Sequence, residues 1–225
     1  MKSLQEYLSK IESLKHEGIL YNSNYNFGGL VVQVQANDFR LISALDEYFE
    51  KFIYEFPVKI HAIVNAYDDD AEKIEILMQP RELEPGKTKL EEMYYCEDGA
   101  IIVHKIQTGV NFLFKDVERV AHGPLVKNIH QLINFMNDIK MDDLLQKAEG
   151  QIFHAAGVSK NFVGMGMAGK SGKGKSTLCL KMLGDGVDFI SDARLIVDHQ
   201  DGYLMMNGIP EYPKVNPGTV VHQSN

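Results

Sequence analysis

The sequence predicts an α/β protein in two parts, an α+β half over residues 1–145 and a smaller α/β domain over 146–225. Three observations carry that expectation. Apolar residues recur at helical spacing in some segments of the first half and alternate singly in others. Gly- and Asp-containing turn signals separate the alternating segments. Finally, one glycine- and lysine-rich octapeptide, GKSGKGKS from Gly169 to Ser176, stands between a strand-like run and an apolar helix-like run.

With 225 residues, 44% of them hydrophobic, the chain is long enough for one large or two modest domains. A formal charge of -8 at pH 7 and a pI near 5.5 argue against a general nucleic-acid binder, which needs a basic face. Any phosphate site must therefore be local. Cys96 and Cys179 are far apart and lack partners at metal-ligand spacing, so neither a disulfide framework nor a zinc site is expected, and a reducing, cytoplasmic setting fits. No apolar run approaches the roughly 18 residues of a membrane span. The amino terminus is charged throughout and lacks a signal-peptide core. No membrane partner is expected, and a homo-oligomer is compatible with everything read here.

In chain order, Leu4, Leu8, Ile11 and Leu14 predict a surface helix that docks one stripe. Gly28-Gly29 opens a strand in which Leu30, Val32 and Val34 share a face. Asn37 or Asp38 then caps a helix whose Phe39, Ile42, Leu45, Phe49, Phe52 and Phe56 face the core. Helical spacing favours packing over base stacking for those aromatics. Residues 58–67 and 73–78 read as strands, and Asp68-Asp69-Asp70 between them reads as a solvated loop, because consecutive carboxylates on an extended chain point apart. Asp98-Gly99 marks a hairpin between 94–96 and 101–103, and Thr108-Gly109 turns the chain before 110–114. Pro124 suits the first position of a helix carrying Leu125, Ile129, Leu132, Ile133 and Met136. His61, His104, His122 and His130 receive no role.

The second part begins with a strand over 152–158, a turn at Ser159-Lys160-Asn161, and a strand over 162–168, antiparallel because the connection is short. Gly164, Gly166 and Ala168 leave one face of the latter almost bare, so another element can approach closely, while Val163, Met165 and Met167 fill the other. The octapeptide then matches G-x-x-x-x-G-K-[ST], the P-loop. Glycines 169, 172 and 174 let successive N–H groups turn inward on an anion, and the positive end of the following helix adds to them. Lys175 reaches the terminal phosphates of a nucleoside triphosphate, ATP or GTP, and Ser176 offers its hydroxyl to Mg2+. The expected nucleotide-binding set is Gly169, Lys170, Ser171, Gly172, Lys173, Gly174, Lys175, Ser176 and Thr177. Residues 176–183 read as an apolar helix ended by Gly184.

Competing readings exist. Gly164 to Ser171 fits the same pattern in a shifted register, and Gly164 to Gly169 fits G-x-G-x-x-G. Either would start a helix near Gly169 and carry it through Gly172 and Gly174 at about 1 kcal/mol each relative to alanine. A glycine-rich turn that binds nothing would leave three lysines repelling each other without an anion. Beyond the loop, a strand over 187–191 ends at Asp192, the candidate for the acid that holds Mg2+ or orients the attacking group. Asp185 and Asp188 fit the turn after the helix. Arg194 suits either transferred phosphoryl charge or an exposed strand edge, and His154 either the nucleotide or the sheet.

With these residues in hand, the second part resembles the carboxy-terminal catalytic domain of the HPr kinase/phosphorylase family, whose P-loop core is similar to that of phosphoenolpyruvate carboxykinases. The likeness rests on the His154 hairpin, GKSGKGKS, the helix, and Ser191-Asp192-Ala193-Arg194. Gly123-Pro124-Leu125, the segment 131–135 and the segment 215–219 resemble HPr-kinase-related proteins of the kinase B type. The resemblance implies an ATP- and Mg2+-dependent kinase that moves the γ-phosphoryl to a hydroxyl on a small protein or metabolite. Lys175, Asp192 and His154 would be catalytic, and Ser176 and Asp192 would hold the metal. The family shows two adjacent aspartates where this chain has Asp192-Ala193, which bears on the base and on phosphorolysis. Since 49 residues follow Ser176, the domain is expected to be incomplete at its carboxy terminus. The alternative is a nucleotide-binding regulatory module without transfer, and a carboxykinase-like or hydrolytic enzyme is a third reading.

Overall fold

The computed structural model describes residues 3–213, apart from 18, 57–58, 81–90, 116–117, 148–149 and 171. The segment 215–219, used in the resemblance, lies outside the described residues. The chain is mixed α/β and divides into two compact units, Met1–Phe135 and Met136–Asn225, with the division inside its longest helix. Among the described residues, no helix is long and apolar enough to cross a membrane.

The first unit is built on eight strands in the order β1-β2-β3-β8-β7-β6-β5-β4. These are β1 Tyr21–Asn26, β2 Val31–Ala36, β3 Ala62–Asp68, β4 Gln79–Pro80, β5 Glu91–Tyr95, β6 Ile101–Lys105, β7 Val110–Lys115 and β8 Glu118–Gly123. β2, β3 and β8 run parallel, and the remaining pairs are antiparallel. Helix α1, Leu4–His16, is fixed at its start by a capping box between Ser3 and Glu6. It lays Tyr7 and Ile11 onto one sheet face with Tyr67, Ile102, Leu113 and Val120. Helix α2, Phe39–Tyr48, is capped by Asp38, and the 3-10 turn Glu50–Phe52 follows it. Phe49 joins Tyr25, Phe27 and Phe52 in an aromatic cluster.

Several expectations need correction. β1 has no apolar alternation and was not foreseen; Tyr25 alone is buried in it, and Asp46 accepts hydrogen bonds from Ser23 and Tyr25 across it. In α2 the buried set is Leu41, Ile42 and Leu45, whereas Phe39, at the first position of the helix, and Phe56, beyond its end at Tyr48, are exposed. Asn37 does not cap; its side chain brackets Asp68 through both an accepted and a donated hydrogen bond. The segment 73–78 is no strand, since Ile76 N–H turns back to Ile74 O and Leu77 is 90% exposed. Helix α3, Ile129–Lys147, starts five residues after Pro124, because Asp68 captures Val126 N–H and Asn128 caps back onto Pro124 O. The hairpins at Asp98-Gly99 and Thr108-Gly109 form as read. The Asp68–Asp70 loop is pinned, with Asp69 paired to Lys10.

The second unit has two three-stranded sheets, β11-β10-β12 and β14-β13-β9. Its elements are β9 Gln151–Phe153, β10 Ala155–Lys160, β11 Val163–Ala168, α4 Lys175–Gly184, β12 Asp188–Ser191, β13 Leu195–Gln200 and β14 Tyr203–Asn207. β10 and β11 are antiparallel, joined through Asn161 and Phe162 at positive φ, as a tight hairpin requires. α4 covers one face of the β10 sheet through Cys179, which packs with Ala156 and Val158. On the other face Leu195 and Met206 fill the space above Gly157, Gly164 and Gly166, so the bare face is indeed where another element approaches. The predicted strand over 152–158 is broken: β9 pairs with β13, and β10 with β11 and β12.

Candidate functional site

The octapeptide links β11 to α4. Ala168 ends β11 opposite Ala155, and the helix begins at Lys175. That start rules out the two shifted registers, which need a helix from near Gly169. Gly172 (φ 77°) and Gly174 (φ 85°) take the left-handed conformation that turns the chain into the helix. A Cβ on Gly169, Gly172 or Gly174 would meet no described atom within 4 Å. Backbone conformation therefore calls for glycine at 172 and 174, and nothing described in the protein calls for it at 169. Lys170 and Lys173 are exposed, Ser176 and Thr177 are half-buried, and Ser171 lies outside the described residues. The helix ends one residue later than read: Gly184 is its last residue, Asp185 is the cap, and Gly186 (φ 75°), not Gly184, is the left-handed terminator.

The Lys175 ammonium folds back over the loop. It donates to Gly169 O at 2.8 Å and Lys170 O at 3.4 Å, and lies 3.5 Å from His154 Nε2. His154 occupies the step between β9 and β10, which explains how it reaches the loop without lying on the strand paired to β11. Sequence reasoning had placed it on that strand.

Asp192 follows β12 and is only 4% exposed. Burial, then the charge of the Asp192 carboxylate, push the Cys179 thiol up. Asp192 is held by a clasp in which the Ser191 hydroxyl donates to Arg194 O at 2.7 Å and accepts from Arg194 N–H at 3.2 Å. The Arg194 guanidinium donates to Asp138 Oδ1 at 3.2 Å. Nothing in the sequence signalled that pair, because its members are 56 residues apart. Asp188 opens β12 instead of lying in the turn. The structure thus brings together His154, Lys175 and the loop carbonyls, leaves Asp192 buried just past β12, and engages Arg194 with Asp138.

Among the described residues no three His, Cys, Asp or Glu side chains cluster as a metal site. A divalent ion held here would draw most of its ligands from phosphate oxygens and water, as Mg2+ does in phosphate sites.

No protein-family model, no curated protein and no solved structure matches the chain.

Proposed function

We propose that residues 169–176 are a P-loop and that the chain is an ATP-dependent kinase of the HPr-kinase-related type, its acceptor a hydroxyl on a small protein or metabolite. One observation carries this reading: the Lys175 ammonium, at the first position of a helix, is drawn onto the loop's own carbonyls 2.8 and 3.4 Å away. It stands where an anion in the loop would meet it together with the positive end of α4. Exposed Lys170 and Lys173 add local positive charge to an acidic chain.

Ser176 and Asp192 are the residues for magnesium, which when bound offsets charge on the phosphates. In transfer, the acceptor oxygen forms a bond to the γ-phosphorus as the bond to the β,γ-bridging oxygen breaks. The diphosphate leaves with the bridging oxygen, and the hydroxyl proton passes to the Asp192 carboxylate. Lys175, with His154 behind it, steadies the terminal phosphate charge. A second reading, a nucleotide-binding module without transfer, is favoured by the burial of Asp192 and by Ala193 beside it.

Calorimetry with Mg·ATP and Mg·GTP tests both. Saturable binding that Lys175→Ala weakens at least tenfold, with an unchanged circular dichroism spectrum, supports the P-loop. Asp192-dependent consumption of ATP then supports the kinase, whereas binding with only solution-rate hydrolysis selects the second reading. Absence of any saturable uptake would remove both.

A further inference from the structure

β11 is an edge of its sheet: among the described residues it pairs with β10 and with no second strand. The amide and carbonyl groups that point away from β10 therefore lack strand partners over six residues, about 20 Å at the usual rise of about 3.3 Å per residue. Natural sheets guard such edges with charge, proline, a bulge or shortness. The opposite edge of the same sheet is guarded, since β12 has four residues, opens on Asp188 and shifts register against β10 between Gly157 and Val158. β11, VGMGMA, has none of these devices.

The side chains exposed along this edge are apolar. Val163 and Met165 stand opposite Lys160 and Val158 of β10, on the face where Val158 packs with Cys179 of α4. They are nonetheless 74% and 43% exposed, so the helix leaves them to solvent. Phe162, which precedes the strand at φ 63°, is wholly exposed. Charge enters only past the strand. Lys170 and Lys173 are exposed, share a turn in which Lys173 N–H donates to Lys170 O at 3.3 Å, and form no ion pair with a described residue.

We infer that β11 docks an extended segment of another protein, which joins the sheet as a fourth strand and carries acidic residues where it passes the loop. An unpaired strand edge is satisfied along its length by another strand, which presents donors and acceptors at matching intervals. The partner's alternate side chains fall beside Val163 and Met165, which selects apolar residues at every second position. Lys170 and Lys173 select acid at the end that lies beside them. A second copy of β11 is the poorer occupant, because in either direction it brings Asn161-Phe162 or its own Lys170 to that end and no carboxylate. Docking of this kind needs no nucleotide. Where the loop does bind nucleotide, the docked segment runs beside it, which favours a protein over a metabolite as acceptor.

The test uses three labelled peptides with blocked ends: EETVTVTVEE, its proline variant EETVTPTVEE and its lysine-ended variant KKTVTVTVKK. Fluorescence anisotropy with the full chain should show saturable binding of the first. The proline peptide, which lacks one backbone donor, should bind at least tenfold more weakly, and so should the lysine-ended peptide. Lys170→Glu combined with Lys173→Glu should reverse the preference between acid and lysine ends. Amide hydrogen exchange at 163–168 should slow on binding of the first peptide, while exchange at 118–123 should not change. The titration contains no nucleotide, so its outcome is separate from that of the Mg·ATP calorimetry. Absence of saturable binding, equal affinity for the proline peptide, no preference for acid over lysine ends, or unchanged exchange at 163–168 would overturn strand docking at β11.

Discussion

The three glycines of the octapeptide are not equivalent. Gly174 holds φ 85°, so Gly174→Ala forces an L-residue into the left-handed region. We expect a loss of about 1 kcal/mol in a chemical denaturation series, together with weakened Mg·ATP binding. Gly169→Ala meets no described atom within 4 Å and should leave stability unchanged to within about 0.5 kcal/mol. If it weakens Mg·ATP binding nonetheless, the space above residue 169 belongs to the ligand. A melting temperature reduced as far by Gly169→Ala as by Gly174→Ala would contradict this division. The turn into α4 at Lys175 and Ser176 was legible in the sequence because motif spacing fixes it locally. Arg194 and Asp138 were not, since a pair 56 residues apart has no local signature.

At the level of elements, the helix caps make the sharpest test. Asp38 accepts from Arg40 N–H at 2.8 Å, and Asp38→Ala should cost about 1 kcal/mol in urea unfolding. Phe49 is fully buried among Tyr25, Phe27 and Phe52, and Phe49→Ala should cost about 3–5 kcal/mol. α1, β2 and the two hairpins were legible because apolar period or turn chemistry marks them directly. β1 was hidden because the backbone ladder holds it to β2 and Asp46 of α2 holds its Ser23 and Tyr25, which leaves its polar sequence without a period. The late start of α3 was hidden because it depends on Asp68, 58 residues before Val126. His154 was found as a residue but misplaced as geometry, because a switch between sheets within one apolar run leaves no trace in hydrophobicity.

For the molecule as a whole, acid is the informative variable. His122 is buried, and burial, then the nearby Lys10 charge, hold its pKa below the ordinary 6.5 despite Asp69 at 3.4 Å. Asp69 is penalised by burial, yet hydrogen bonds from Lys10, Asp70 N–H and His122 hold its pKa below the ordinary 3.8. Both groups bind fewer protons folded than unfolded. Stability is therefore complete above the ordinary histidine value and falls as pH drops through 6.5 toward the depressed folded value, with a second loss below 3.8. Each protonation contributes a slope of at most about 1.4 kcal/mol per pH unit. Urea midpoints measured from pH 7.5 to 5 should decline, and His122→Phe, which keeps a ring against Tyr7, should flatten the series. An unchanged decline in that variant would assign the effect elsewhere. The sheet order behind this cluster was beyond sequence reading, because placing β8 beside β3 joins residues 55 apart along the chain at Ile63 and Glu118. A different consequence follows from β11, whose six residues VGMGMA carry neither charge nor proline and pair, among the described residues, on one side only. Such a rim templates the addition of another chain. Concentrated preparations should therefore precipitate through strand-to-strand growth, and Met165→Lys, placed on the exposed side, should keep them clear.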